Sequence, residues 1–541
     1  MLDPAGEADL AAARAEGAGD LPCTAPRPDT GTRGSELPKG ARGAIARGGA
    51  WSTAAWITIN ASGAVNTVLL VRSMHHGEYG VLVMTMSVVA ILSALASFGL
   101  APALIQLAPR VGARGAATVL RCAVRMSYVL GAIAAAATGT ACLVLGSRDQ
   151  RELAATVAIA IPIVATAPFA ASLSGYLQSV QQPRRLAGAL VAAPLALTAG
   201  VVVLSLTTHP PASAIVGVRT IAVLLMVGLL LVAVRRSGAV AAVTRHPAAV
   251  DGVSPRRLLG LGGPLLGGTM TAILLAQLDV FVLGLSRGRQ AVALYGPASQ
   301  IADNALTMAA VVGTFYVPTI AAVLTRRDTA AAGDLYRWAS RWALVWVAPV
   351  IAVMLACPQA ALTLLFGGRY APMATPLRIL AAGVVVNLLF GFNGVTLDSL
   401  SRVRLIVGRQ AVGLAFNVAA CAVLVPLLGP DGAALATSSS LLVMNGFGSA
   451  LLFRHTRITP NNPGLFAVAG ALGAAVVTGM LVDRIPMPSV LQIGAVATLG
   501  AMACTAAAYL FSSEAERRDI KAGLGQGISR FVSSWLSYPS T

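Results

Sequence analysis

Apolar stretches of about 20 residues, the length a helix needs to cross a bilayer core, recur along this chain from Trp51 almost to its end. They fall at 51–71, 79–107, 123–146, 153–177, 186–207, 212–234, 258–285, 291–324, 342–365, 374–397, 405–428, 432–453, 464–483 and 489–511, which makes fourteen. Short charged or Pro/Gly-bearing breaks separate them. The weakest break is "TTHPPAS" at 207–213, where a proline turn divides one long run into two. In hydrocarbon every backbone N–H and C=O must find its partner within the protein, so runs of this length imply a bundle of helices. Only 11% of the 541 residues are charged, against about 25% in soluble domains. The expected fold class is an all-α polytopic membrane protein.

The distribution of basic residues orients the bundle. Lys and Arg accumulate on cytoplasmic loops. With the N-terminus inside and helix ends counted with their loops, the inner segments hold 30 of the 39 basic residues and the outer ones hold 8; Arg219 alone is left within a span. Dropping one span would scramble this alternation, so both termini are expected inside, in a cell membrane. The net charge of +18 is spread over short loops rather than gathered on one segment, which argues against nucleic acid as a partner.

The breaks also suggest a domain plan. Residues 1–50 are polar, without an apolar signal-peptide core, and are expected to be a disordered cytoplasmic tail. Spans 1–6 (51–234) and 7–12 (258–453) would form two six-helix lobes joined by a cytoplasmic linker at 235–257. A C-terminal helix pair (464–511) and a cytoplasmic tail (512–541) follow. In that tail "GISRFVSSWLSY" has apolar residues at helical spacing, as an amphipathic helix on the inner interface would. Each lobe opens with a helix pair whose outer loop ends in Tyr-Gly, in "GEYGVLV" and "ALYGPAS". Two such repeats facing each other across a midplane site are a transporter design.

One polar knot, "RSMHHGEYG" at 72–80, invites a metal-site reading. Adjacent His75 and His76 in a short tip point in different directions, and no third ligand is close in sequence. They read as exposed loop residues, and no metal site is expected. The six cysteines are far apart, with no CxxC spacing, and read as small apolar-run residues.

The stretch "LLVRSMHHGEYGVLVMTMSVVAILSALASFGLAPALIQ" resembles the opening of the prokaryotic polysaccharide flippases, the lipid-linked oligosaccharide exporters of the MATE-like superfamily. Arg72, Glu78, Tyr79, Gly80, Gly99 and Leu100 carry that resemblance. "QLDVFVLGLSRGRQAVALYGPASQIADN", "YVPTIAAVL", "LLFGGRYAPMATPLRILAAG" and "NVAACAVLVPLLGPDGAALATSSS" resemble later parts of the family, in order, so that the similarity covers about 50–455. Met74-His75-His76 departs from the small residues usual in the family, so the histidines gain no role from it. The resemblance implies two MATE-like lobes around a central cavity, plus the C-terminal pair. It also implies a transporter that moves a polyprenyl-pyrophosphate-linked oligosaccharide to the outer leaflet by alternating access, for polysaccharide export. Lipid II flipping and multidrug/cation antiport are the alternatives within the superfamily.

Such cargo needs a cation for phosphate, hydroxyl and amide groups for sugar, and a groove for the lipid tail. Charges within spans are costly and by default face a cavity or pair with one another. Four stand out: Arg219 about seven residues into span 6, Asp303 (followed by Asn304) in span 8, Asp279 near the outer end of span 7, and Arg72 at the end of span 1. Arg219 and Arg72 would meet substrate phosphate, and Asp303 or Asp279 a coupling ion, H+ or Na+. A structural Arg–Asp pair, or snorkelling helix-end charges, explains the same pattern. Among the in-span amides, Asn66 and Asn387 are candidates for sugar contact, and interhelical hydrogen bonds are the competing reading. No GxxxxGK[ST], HExxH or GxSxG triad occurs, and no outer loop is long. No enzyme activity and no cofactor is expected. The expected partners are a lipid-linked glycan, membrane lipids and a polysaccharide polymerase or export machinery.

Overall fold

The computed structural model describes residues 39–147, 151–207, 209–237, 255–325, 328–400, 403–459, 462–512, 514, 516 and 517. Among them every regular element is helical. The first part of the chain gives α1 (Lys39–Ser73), α2 (His76–Ser97), α3 (Leu100–Leu107), α4 (Gly112–Ser147), α5 (Arg151–Ile159), α6 (Ile161–Ser179), α7 (Pro183–Thr207) and α8 (Ala212–Arg236). Then come α9 (Pro255–Thr325), α10 (Thr329–Ala356), α11 (Pro358–Phe366), α12 (Ala374–Leu389), α13 (Asn393–Ser399), α14 (Val403–Leu428), α15 (Pro430–Thr456), α16 (Pro463–Val482) and α17 (Ser489–Leu510).

Thirteen segments of the described residues are long and apolar enough to cross a membrane. One of them, Leu266–Gly313, is 48 residues long and contains a break at Gly288 (φ 80°, ψ 176°). A residue with a Cβ rarely adopts that conformation. The break turns α9 back on itself, so this one segment supplies the expected spans 7 and 8, and the chain is a multi-pass membrane protein.

Several boundaries differ from the sequence reading, and three of them bear on the fold. α1 begins at Lys39, inside the stretch 1–50 expected to be unstructured; Ala41, Ala44, Ala46 and Ala50 with Arg42 and Arg47 favour helix there against four glycines. The expected span 342–365 ends as α10 at Ala356, because Pro358 forces Cys357 out of the helical region (φ −127°, ψ 53°). The expected span 374–397 is interrupted after Leu389 by a turn through Gly391 (φ 64°). Most of the 235–257 linker, and the amphipathic stretch at 527–538, lie outside the described residues.

Contacts between loops define two faces. His209 Nδ1 bonds Ser73 O at 2.8 Å, and Glu78 caps α8 by accepting from the Ala212 amide at 2.6 Å. Arg369 donates to Val71 O at 2.9 Å, Arg289 pairs with Glu152, and Arg287 donates to Pro426 O at 2.7 Å. The connections near residues 75, 150, 209, 288, 367 and 428 therefore lie together on one face, called distal here. The proximal face carries the α2–α3 break at Phe98–Gly99 and the start of α9. This matches the alternation of loops implied by the charge pattern.

The core is built on α2 and α9, which share the most extensive interface. Small residues allow this: Gly80 meets the Arg289 carbonyl at the distal end, and Gly284 receives Met84. At the proximal end Gly99 (φ 65°) and Gly262 bring backbone against backbone. Tyr295, Tyr316, Tyr336 and Tyr370 are fully buried. α16 and α17 pack on each other and on α10.

Candidate functional site

α8 has a packed face and a lipid-like face. Ala212, Ile215, Val216, Thr220, Ala222, Val227 and Leu230 are buried, while Ile221, Leu224, Leu225 and Val232 are exposed. At about 100° per residue, Arg219 falls between Ala212 and Ile215 on the packed face, yet it is exposed. Its guanidinium therefore opens onto space within the helix assembly rather than onto the lipid side. It makes no hydrogen bond or ion pair with the described residues. It stands seven residues, about 10 Å, from the distal end of α8.

The acidic candidates gather on the two limbs of α9. Asp279 is buried, 2% exposed. Its Oδ2 accepts from Tyr295 Oη at 2.8 Å and from Thr437 Oγ1 at 3.0 Å, and its Oδ1 from the Val280 amide at 2.8 Å. Asp303 is half-buried, has no side-chain hydrogen bond, and lies within electrostatic reach of Asp279. Asn304, one residue on, accepts from Gln300 Nε2 at 3.4 Å. The bend at Gly288 is what brings the two carboxylates near one another.

Arg72 is at the distal rim. Its Nε donates to Leu365 O at 2.8 Å and its Nη2 to Leu364 O, so it caps the carbonyl end of α11. Asn66 is buried, with an Oδ1 that has no partner. Asn387 belongs to an amide network across α12, α13 and α15: Asn445 Nδ2 donates to Asn387 Oδ1 at 2.8 Å, and Asn393 Nδ2 donates to Asn445 O at 2.8 Å. The amide hydrogens of Asn387 itself have no partner among the described residues.

A distal cleft of about 400 Å³ is lined by His75, Gly77, Glu78, Glu152, His209, Pro211 and Arg289. The rings of His75 and His209 meet edge to face with centroids 4.7 Å apart. Among the described residues no three His, Cys, Asp or Glu side chains converge as a metal site.

The sequence marks Tyr295 only as the Tyr-Gly that opens the second lobe, and connects neither it nor Thr437 with Asp279, which the two hold by hydrogen bonds. Nor does it find the Glu152–Arg289 pair, which joins the α5 start to the α9 bend. Their partners are 16 to 158 residues away, and no local pattern marks them.

A family model described as polysaccharide biosynthesis protein matches residues 69–375, more than half of the chain. No curated protein matches it. Among solved structures, the lipid II flippase MurJ in an inward closed conformation is similar with a TM-score of 0.66 at 11% identity, covering 85% of this chain and 98% of that one. An inward-facing multidrug resistance MATE transporter of the MOP superfamily gives 0.59 at 13% identity, over 76% and 98%. A MOP superfamily transporter from Pyrococcus furiosus gives 0.55 at 16% identity, over 78% and 98%. At these identities the likeness is one of fold.

Proposed function

The chain belongs to the polysaccharide biosynthesis protein family and has the fold of the MOP-superfamily transporters, and from that premise we propose that it flips a polyprenyl-pyrophosphate-linked oligosaccharide from the inner to the outer leaflet of the cell membrane. The observation that carries the reading is Arg219: a guanidinium without a partner on the packed face of a membrane helix. An unpaired charge at that depth is costly and suits a site that receives an anion; a guanidinium fork matches phosphate oxygens. The distal face is then the outer one, with both termini cytoplasmic. The lobes are 51–234 and 258–453, and movement between them carries the headgroup across. α16 and α17 extend a groove for the lipid tail.

Asp303 and Asp279 are the proposed coupling site. Two carboxylates within electrostatic reach, one of them without a hydrogen bond, favour a shared proton or a bound Na+. A polysaccharide polymerase or export machinery would take the cargo on the outer side.

Lipid II is the second reading, favoured by the extent of the likeness to MurJ; the pyrophosphate chemistry is the same. Deletion of the gene tests the proposal. Lipid-linked glycan should accumulate on the inner leaflet, and a lipid-linked polysaccharide precursor rather than lipid II should be the stranded species. Normal export from a deletion strain without a second transporter of the family would overturn it.

A further inference from the structure

Arg409 stands on α14, six residues and about 9 Å from the proximal end of that helix. Two glycines let its side chain into the bundle. A Cβ on Gly394 of α13 would lie 2.7 Å from Nη2, and one on Gly448 of α15 would lie 2.6 Å from Cδ. Nothing in the described structure accepts its protons. Nε is buried without a partner, the guanidinium makes no hydrogen bond, and no carboxylate oxygen of the described residues lies within 4.0 Å. Asp398, the acid within electrostatic reach, is exposed. The neighbouring Gln410, packed against Gly268 of α9, also has a buried Oε1 without a partner.

Arginines that hold this structure together are furnished differently. Arg72 has the carbonyls of Leu364 and Leu365, and Arg341 has Glu516. Arg409 has a slot but no acceptor, although an unpaired charge among membrane helices is expensive. A strip of amides leads away from it. Asn393 Cγ lies 3.4 Å from the position a Gly448 Cβ would take. Asn393 Nδ2 donates to Ser449 Oγ at 3.0 Å and to Asn445 O at 2.8 Å, and Asn445 continues to Asn387, whose own amide hydrogens are free. A fork suited to phosphate thus adjoins donors and acceptors suited to hydroxyls.

We propose that Arg409 is a second anion-binding group, which holds the pyrophosphate of a lipid-linked cargo at the proximal side of the C-terminal lobe before it passes to Arg219. The inference rests on the flippase reading above. The two guanidiniums lie at similar depths from opposite faces, one in each half of the chain, and so make a loading station and a release station for the same charged group.

Purified full-length protein titrated with farnesyl diphosphate tests this. The wild type should bind, Arg409→Gln should bind at least tenfold more weakly with an unchanged melting profile, and Arg409→Lys should fall between them. Equal affinity in wild type and Arg409→Gln overturns the role of Arg409 and leaves the flippase reading intact; absence of binding in the wild type overturns both. Arg409-dependent binding of phosphatidylglycerol vesicles without any of farnesyl diphosphate also overturns it, because the site then serves an ordinary lipid headgroup. Should Arg409→Gln fail to fold, phenylglyoxal labelling of Arg409 in the wild type decides by peptide mass. Protection by farnesyl diphosphate supports the assignment, and labelling unchanged by saturating probe overturns it.

Discussion

Tyr295 Oη donates to Asp279 Oδ2 at 2.8 Å across the bend at Gly288, so the two limbs of α9 are tied by a fully buried phenol–carboxylate bond. Thr437 supplies the second donor to the same oxygen. Hydrogen bonds to a charged group contribute about 2 kcal/mol each. Tyr295→Phe should therefore lower stability by about that amount, read from unfolding in detergent, and should slow transport only modestly. Asp279→Asn keeps an acceptor but removes the charge. It should cost less stability and, with the coupling role proposed for this carboxylate, abolish gradient-driven transport. Wild-type transport by Asp279→Asn would remove Asp279 from the coupling site.

Arg219 separates charge from geometry. Arg219→Lys keeps a cation but loses the two-pronged fork, while Arg219→Ala loses both. Export in a complemented deletion strain should fall at least tenfold for Arg219→Ala and less for Arg219→Lys, at equal membrane abundance. Because the guanidinium makes no hydrogen bond or ion pair with a described residue, neither change should lower the melting temperature. A large loss of stability in Arg219→Ala would instead point to a structural charge.

The interface of α2 with α9 is closed by backbone at both ends. A Cβ on Gly80 would lie 2.1 Å from the Arg289 carbonyl oxygen, and one on Gly99 would lie 2.4 Å from that of Gly262. The movement between lobes proposed above requires these two seams to part at different times. Gly80→Ala should open the distal seam and Gly99→Ala the proximal one. Cysteines replacing Glu152 of α5 and Arg289 of α9, which pair beside the distal seam, report the difference through a bifunctional thiol cross-linker. Their cross-linking yield should drop several-fold with Gly80→Ala and hold or rise with Gly99→Ala. An equal drop in both would show a general packing defect rather than two independent seams.

Much of the architecture is legible because the bilayer imposes one length scale. The fourteen apolar runs reappear as thirteen segments, one of them bent at Gly288, and the loops alternate between faces as the charges imply. The sites are legible only in part. Asp279 and Asp303 are visible as charges in apolar runs, but their proximity depends on a hairpin whose geometry no spacing encodes. Arg72 looks the same as Arg219 in sequence, yet it is spent on the carbonyls of Leu364 and Leu365, 292 and 293 residues away. Arg409 is hidden for another reason. It follows Arg402 and Arg404 and merges with a basic run that charge alternation assigns to an inner loop. Only Gly394 and Gly448, on other helices, reveal that its side chain turns inward.

Arg341 and Glu516 show what an inward-turned arginine costs when its partner is removed. Their ion pair, 2.8 Å long, is nearly enclosed, with side chains 4% and 21% exposed. Arg341 also donates to the Phe511 carbonyl at 3.2 Å, so one side chain of α10 anchors the segment that follows α17. Breaking a buried pair by deleting one member costs about 3–5 kcal/mol, whereas replacing both by apolar groups is often close to neutral. Glu516→Ala should thus destabilise the protein by several kcal/mol, because Arg341 is left charged and enclosed. Glu516→Gln, which keeps an acceptor, should cost less. The double variant Arg341→Met/Glu516→Leu should recover most of the loss. Unfolding of the purified protein in detergent, read for the four proteins side by side, checks this order. If the double variant is no more stable than Glu516→Ala, the loss comes from packing of the last segment rather than from the orphaned charge.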